Sequence, residues 1–228
     1  MTTKGQESKD ERPQVKVCGL TRPEEAAQCA ELGADAIGCI FFPKSPRNVS
    51  VHQAGLIFSA LPEETARVGV FVDASFSEIM LNKAQCGLTV AQLHGRESPS
   101  LVQELVDEGV TVVKAFFSGG IPSPANTRHY NASACLIECA GGPLPGGNAL
   151  PWNWSEAASL DRDQPFILAG GLAPENICEA ISACFPDAVD VSSGVESKPG
   201  RKDLQKVQRF IHSLHACSLY TQSVKKIF

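Results

Sequence analysis

Residues 166–203 read FILAGGLAPENICEAISACFPDAVDVSSGVESKPGRKD, and their punctuation decides the fold. An apolar run from Phe166 to Ala169 stops at Gly170-Gly171. A helix-like segment follows from Pro174 to Cys184, and a second apolar run, Ala188 to Val191, stops at Ser192-Ser193-Gly194. The pattern is strand, helix, strand, with small residues at both strand exits. Backbone N–H groups exposed there, close to a helix N-terminus, suit a phosphate. A Gly-Gly after a strand also serves as a plain turn.

The same rhythm runs upstream. Strands are expected at Val15–Cys18, Asp35–Phe42, Val68–Val72, Thr89–Leu93, Thr111–Ala115 and Ala134–Glu138. Helices are expected at Glu24–Leu32, Val51–Leu61, Ser75–Lys83, Ser98–Glu108 and from Trp154 to about Leu160, with a last one from Lys202 to about Cys217. Thr21 is placed to cap the first helix, with Pro23 in its first turn. The stretch from Phe116 to Asn131 is rich in Gly, Pro, Ser and Asn, so its helix is short or absent. AGGPLPGGNALP, residues 140–151, is the longest loop.

Eight strands, each followed by a helix or a loop in its place, form either a closed (β/α)8 barrel or an open doubly wound sheet. Their short, continuously apolar runs fit strands covered on both faces. Eight units in little more than two hundred residues favour the barrel, and no G-x-G-x-x-G follows the first strand. CGLTRPEEAAQCAELGADAIG near the start also shares its spacing with GGLAPENICEAISACFPDAVD, an echo that any two β-α-β units could show.

Composition narrows the function classes. Of 228 residues, 43% are hydrophobic and 20% charged, the balance of a globular chain with a full core. Net charge is -5, which argues against nucleic acid or an anionic membrane as partner and leaves any anionic ligand to a local site. The first 14 residues, MTTKGQESKDERPQ, lack an apolar signal core, and residues 1–13 read as a disordered polar leader. The barrel domain spans 14–216, and 217–228 form a C-terminal tail. The nine cysteines are odd in number, contain no C-x-x-C pair and sit mostly in apolar segments. They read as small hydrophobes in a reducing, cytoplasmic setting rather than as a disulfide framework.

A barrel works at the C-terminal ends of its strands, and period-two alternation says which residues point inward there. Cys18 ends strand one, Gln92 and His94 share a face of strand four, and Glu138 ends strand six. Lys16 and Asp190 are expected to pair across neighbouring strands, since neither charge is tolerable alone in the interior. No His/Cys/Asp cluster has structural-zinc spacing, so no metal is expected. GVESKPGRK mimics a phosphate loop, but Pro199 stands where the Walker spacing needs glycine.

Together VKVCGLT, FFPKSPRNV, VGVFVD, VAQLHGRE, LAGGLAPENI and DVSSGVESKPGRKD, in this order and spacing, closely resemble the phosphoribosylanthranilate isomerase family of tryptophan biosynthesis, over about residues 14–212. The resemblance implies a (β/α)8 barrel and a cofactor-free Amadori rearrangement of N-(5-phosphoribosyl)anthranilate to 1-(2-carboxyphenylamino)-1-deoxyribulose 5-phosphate. A general acid opens the furanose and a general base takes the proton from C2. It implies Cys18 as base and Arg47 as clamp on the anthranilate carboxylate, a task suited to a guanidinium fork. Gly171, Ser193 and Gly194 would cradle the phosphate, with Gly147 in a covering loop and Gln92 and His94 lining the pocket. The expected partner is this small phosphosugar–anthranilate substrate, for a monomer or homodimer.

The sixth strand departs from the family pattern. LIEC puts Glu138 where the family's general acid is an aspartate. The loop GGNALPWNW has Asn148 and Ala149 for a Thr-Gly pair and Asn153 for an aspartate. Either the loop has shifted to suit Glu138, or activity is reduced, or the substrate is altered. A non-catalytic or repurposed phosphosugar-binding barrel is the alternative.

Overall fold

In the computed structural model eight parallel strands close on themselves in chain order. The structure describes residues 12–140, 152–158, 164–217 and 224–228. The strands are β1 (Gln14–Cys18), β2 (Ala36–Phe41), β3 (Ala66–Phe71), β4 (Val90–Leu93), β5 (Thr111–Ser118), β6 (Ala134–Cys139), β7 (Phe166–Ala169) and β8 (Ala188–Val191). Between and after them lie α1 (Pro23–Glu31), α2 (Val51–Ser59), α3 (Phe76–Cys86), α4 (Pro99–Asp107), α5 (Ser155–Ala158), α6 (Ile177–Cys184) and α7 (Leu204–Ala216). After β5 there is only a short 3-10 helix, Pro124–His129, as that stretch's composition predicts. The open-sheet alternative is excluded because β1 pairs with both β2 and β8.

Alternation along each strand divides the apolar residues into two cores. Outward residues such as Val15, Val17, Ile37, Val112, Phe166 and Leu168 pack under the helices. Inward ones are fewer and smaller: Ala36, Val68, Val70, Val90, Val113, Ala115, Leu136, Ile167 and Ala188 fill the barrel, with Cys18 and Phe117 towards its C-terminal end. Branched Val, Ile and Leu side chains, with alanines between them, fill the interior as layers of a packed core. Ser50, Ser75 and Ser98 cap α2, α3 and α4 by accepting from backbone amides, and Asp203 does so for α7.

Several expectations are corrected. Thr21 does not cap α1: Arg22 occupies the cap without a side-chain bond, and the Thr21 hydroxyl donates instead to the Gly200 carbonyl at 2.7 Å. Pro23, at the first helical position, has no N–H and so leaves one orphan donor fewer at this end. α6 begins at Ile177, because Asn176 folds the preceding loop onto itself, accepting from Ala173 N and donating to Gly171 O. Sequence reading places no strand in residues 196–202 and starts the last helix at Lys202; β9 (Glu196–Lys198) and β10 (Arg201–Lys202) instead form a hairpin around Pro199-Gly200, and α7 starts after it.

The cysteine reading is also corrected. Cys178 and Cys217 form a disulfide with Cα atoms 5.6 Å apart. They are 39 residues apart in sequence, and only the packing of α6 against α7 brings them together. Parity and short-spacing rules cannot register such a pair.

The tail's described part, residues 224–228, docks at the N-terminal end of the barrel. The Gln14 side chain accepts from the Ile227 and Phe228 amides and donates to the Phe228 carbonyl. Ile227 and Phe228 rest against the interior core there, opposite the strand exits. No helix among the described residues is long and apolar enough to cross a membrane.

Candidate active site

Several of the inward residues towards the C-terminal ends of the strands are polar. Lys16 and Asp190 are register partners on β1 and β8, and their side chains form the expected ion pair at 2.8 Å. Cys18 lies one inward step above Lys16. A Cβ on Gly38, the register partner of Cys18, would come within 2.8 Å of its Sγ and 3.2 Å of the Lys16 Cε. Glycine thus leaves room for thiol and ammonium to stand side by side. Burial pushes the Cys18 thiol up, while the Lys16 charge opposes that shift. For Lys16, burial is the largest single influence and works against the charged form, but the Asp190 carboxylate and the Cys18 sulfur together leave the pKa raised. One carboxylate oxygen of Asp190, Oδ1, is buried without a hydrogen-bond partner among the described residues.

Across the barrel Gln92, His94 and Glu138 form a buried chain. The Gln92 amide nitrogen lies 3.1 Å from His94 Nδ1, and His94 Nε2 lies 3.0 Å from Glu138 Oε1. With the Gln92 amide donating to Nδ1, the tautomer that fits carries its proton on Nε2 and donates it to Glu138 Oε1. The ring stands edge-on to Phe117, 5.5 Å between centroids, which fixes its plane. Gln92 Oε1, like Asp190 Oδ1, is buried and unpartnered among the described residues. Two orphan acceptors in one interior are costly unless a ligand supplies donors.

Arg47 is buried, and its stem lies against Gly19, where a Cβ would come within 2.5 Å of the Arg47 Cδ. Its guanidinium is already engaged: Nε donates to Glu196 Oε1 at 2.9 Å and Nη2 to Oε2 at 2.7 Å. At the exits of β7 and β8, a Cβ on Gly194 would overlap the Leu172 carbonyl oxygen, so only glycine lets the two exit loops touch. Ser193 and Gly194 open a 3-10 turn, where the first amides have no helical partner. Gly171, at φ +70°, is steadied through its carbonyl by Asn176.

The structure therefore brings Cys18, Glu138, Gln92, His94, Arg47, Gly171, Ser193 and Gly194 to one end of the barrel. Gly147, with Asn148 and Ala149, lies outside the described residues. Sequence reading gives no role to Glu196 and Lys202, although the stretch that holds them carries part of the family resemblance. It also missed Trp152 and Trp154, whose indoles donate to the carbonyls of Ala169 and Gly170 and tie the end of the β6 loop to β7. Among the described residues no group of three or more His, Cys, Asp or Glu is placed to hold a metal ion.

Comparison with known proteins agrees with this fold. Residues 15–213 match the family described as PRAI, N-(5'phosphoribosyl)anthranilate (PRA) isomerase. The N-(5'-phosphoribosyl)anthranilate isomerase of Desulfatibacillum aliphaticivorans is 51% identical over 200 residues, covering 88% of this chain and 92% of that protein. The phosphoribosyl anthranilate isomerase of Thermus thermophilus superposes with a TM-score of 0.81 at 36% identity, over 89% of this chain and 98% of that one. A phosphoribosyl anthranilate isomerase in complex with reduced 1-(o-carboxyphenylamino)-1-deoxyribulose 5-phosphate superposes with a TM-score of 0.77 at 34% identity, over 89% and 98%. The chain belongs to the N-(5'-phosphoribosyl)anthranilate isomerase family and is an isomerase of tryptophan biosynthesis.

Proposed function

We propose that this barrel performs the family's Amadori rearrangement with Cys18 as general base and Glu138 as general acid. The observation that carries the assignment is the placement of a thiol and a hydrogen-bonded carboxyl group, both buried and inward-facing, at one end of the barrel.

Glu138, protonated, gives its proton to the furanose ring oxygen as the amino nitrogen's lone pair expels that oxygen from C1. The products are an open sugar hydroxyl and a protonated Schiff base. The Cys18 thiolate then takes the proton from C2, and the C2–H electron pair flows to the iminium nitrogen to give an enolamine. That intermediate tautomerises to the ketone, so no oxidant or cofactor is consumed. The iminium charge and Lys16 both favour the thiolate when it is needed.

The remaining groups hold the substrate. Sugar hydroxyls are donors of the kind that the orphan oxygens of Gln92 and Asp190 lack. Arg47 grips the anthranilate carboxylate, and Gly171, Ser193 and Gly194 receive the phosphate, with Gly147 contributing from its loop. Every group named comes from one chain, so a monomer or a homodimer would serve. The setting proposed is cytoplasmic, where the accessible Cys178–Cys217 pair would be reduced.

The test is turnover of substrate generated in situ, followed by loss of anthranilate fluorescence, with rescue of an isomerase-deficient tryptophan auxotroph. Cys18→Ser and Glu138→Gln should each abolish turnover, and a near-normal rate in Glu138→Gln would remove the acid assignment. No observation favours a non-catalytic barrel. Product binding without turnover would be its signature.

A further inference from the structure

Arg47 does not stand alone at the barrel mouth. Glu196, buried on β9, receives four donors: Arg47 Nε and Nη2, Lys202 Nζ at 2.9 Å and the Gly200 amide at 3.2 Å. Lys202 is its register partner on β10, and Lys202 Nζ also donates to the Ser192 carbonyl at 3.1 Å. The Ser192 hydroxyl in turn donates to the Cys18 carbonyl at 3.0 Å. Two cations thus share one carboxylate. The hairpin that carries them is pinned by Thr21 on Gly200 and by Glu25 on Arg201 and the Lys202 amide.

A guanidinium has two forks. The side-on fork, Nε with Nη2, is filled by Glu196. The end-on fork, Nη1 with the second hydrogen of Nη2, points away from that carboxylate because the group is planar. We propose that Glu196 is the positioning residue for Arg47: it holds the side-on fork so that the end-on fork faces the substrate carboxylate. Lys202 tethers the clamp to the same β8 exit that bears the phosphate cradle. This rests on the reading of Arg47 as the carboxylate clamp. It assigns to GVESKPGRK a role in the affinity for the aromatic end of the substrate, separate from the proton transfers.

The arrangement has consequences that a merely structural ion pair lacks. In Glu196→Gln the amide nitrogen faces an Arg47 N–H, one bond of the fork is lost and the guanidinium swings. Losing a hydrogen bond between charged groups corresponds to roughly 10–100-fold in binding. KM should therefore rise about 10-fold or more, with kcat within about threefold of wild type. In an Arg47→Ala background the same change should add less than about twofold, since its route to the substrate is already gone.

The experiment measures kcat and KM for wild type, Arg47→Ala, Glu196→Gln and the double variant. If Arg47→Ala raises KM and Glu196→Gln does not, or if the two effects multiply, the positioning role is overturned and the clamp stands. If Arg47→Ala leaves KM unchanged, the clamp reading itself fails and takes this proposal with it. Should Glu196→Gln fail to fold with two cations unbalanced, Glu196→Gln/Lys202→Met, compared with Lys202→Met alone, removes one charge of each sign and must show the same KM effect.

Discussion

Shortening Glu138 to aspartate tests the catalytic assignment most directly, because it restores the family's residue in a site built for a longer one. The change withdraws the carboxylate by up to one C–C bond, about 1.5 Å. From 3.0 Å, the His94 contact would then exceed the roughly 3.2 Å limit of a good N–H···O bond. His94 cannot follow, since Gln92 holds its other nitrogen at 3.1 Å and Phe117 fixes the ring plane. A displacement near 1 Å at the reacting atom costs on the order of 100-fold, and a general acid as a whole contributes about 100- to 10,000-fold. Glu138→Asp should accordingly lose roughly 10–100-fold in kcat with little change in KM, and Glu138→Gln should lose more. Initial rates of anthranilate fluorescence decay at saturating substrate read both. An aspartate variant as fast as wild type would refute the reasoning, since the position held by His94 would not be the catalytic one.

Three further outcomes are expected. Lys16→Met removes the charge that opposes burial at Cys18, so the rising limb of kcat/KM against pH should move to higher pH; a limb that stays put disconnects Lys16 from the base. Gln14→Ala deletes three hydrogen bonds to residues 227–228 at the far end of the barrel, and urea unfolding should show a loss of about 1–3 kcal/mol with kcat unchanged. Thiol titration of unfolded chain from an oxidising preparation should find two fewer thiols than after reduction, matching the Cys178–Cys217 pair.

The barrel was legible because each β-α unit announces itself locally, through an apolar run, a small-residue exit and a capped helix. Inward-facing positions follow from alternation, and that is why Cys18, Glu138 and the Lys16–Asp190 pair could be placed from spacing alone. What stayed hidden depends on contacts between distant segments. Glu196 and Lys202 lie in a stretch whose apolar content is too low to suggest strands, and Arg47, the other cation on Glu196, is 149 residues away in sequence. Gln92 and His94 were expected to line the pocket. Their link to Glu138 required β4 and β6 to be set at one height in the ring. Trp152 and Trp154 look like ordinary core aromatics until their indole nitrogens meet the exit of β7.

The cluster at the barrel mouth also bears on how an anionic ligand arrives. The chain carries a net charge of -5, so at long range it repels a molecule bearing a phosphate and a carboxylate. That repulsion fades within a Debye length, about 8 Å at physiological ionic strength. The attraction comes from Arg47 and Lys202, two cations against the single carboxylate of Glu196, and these groups are buried. Buried charges are only weakly screened, so they act on a ligand that has already entered the mouth. Encounter and retention are thereby governed by different charges: the surface can change its acidity, and with it solubility, while the grip inside is left as it was.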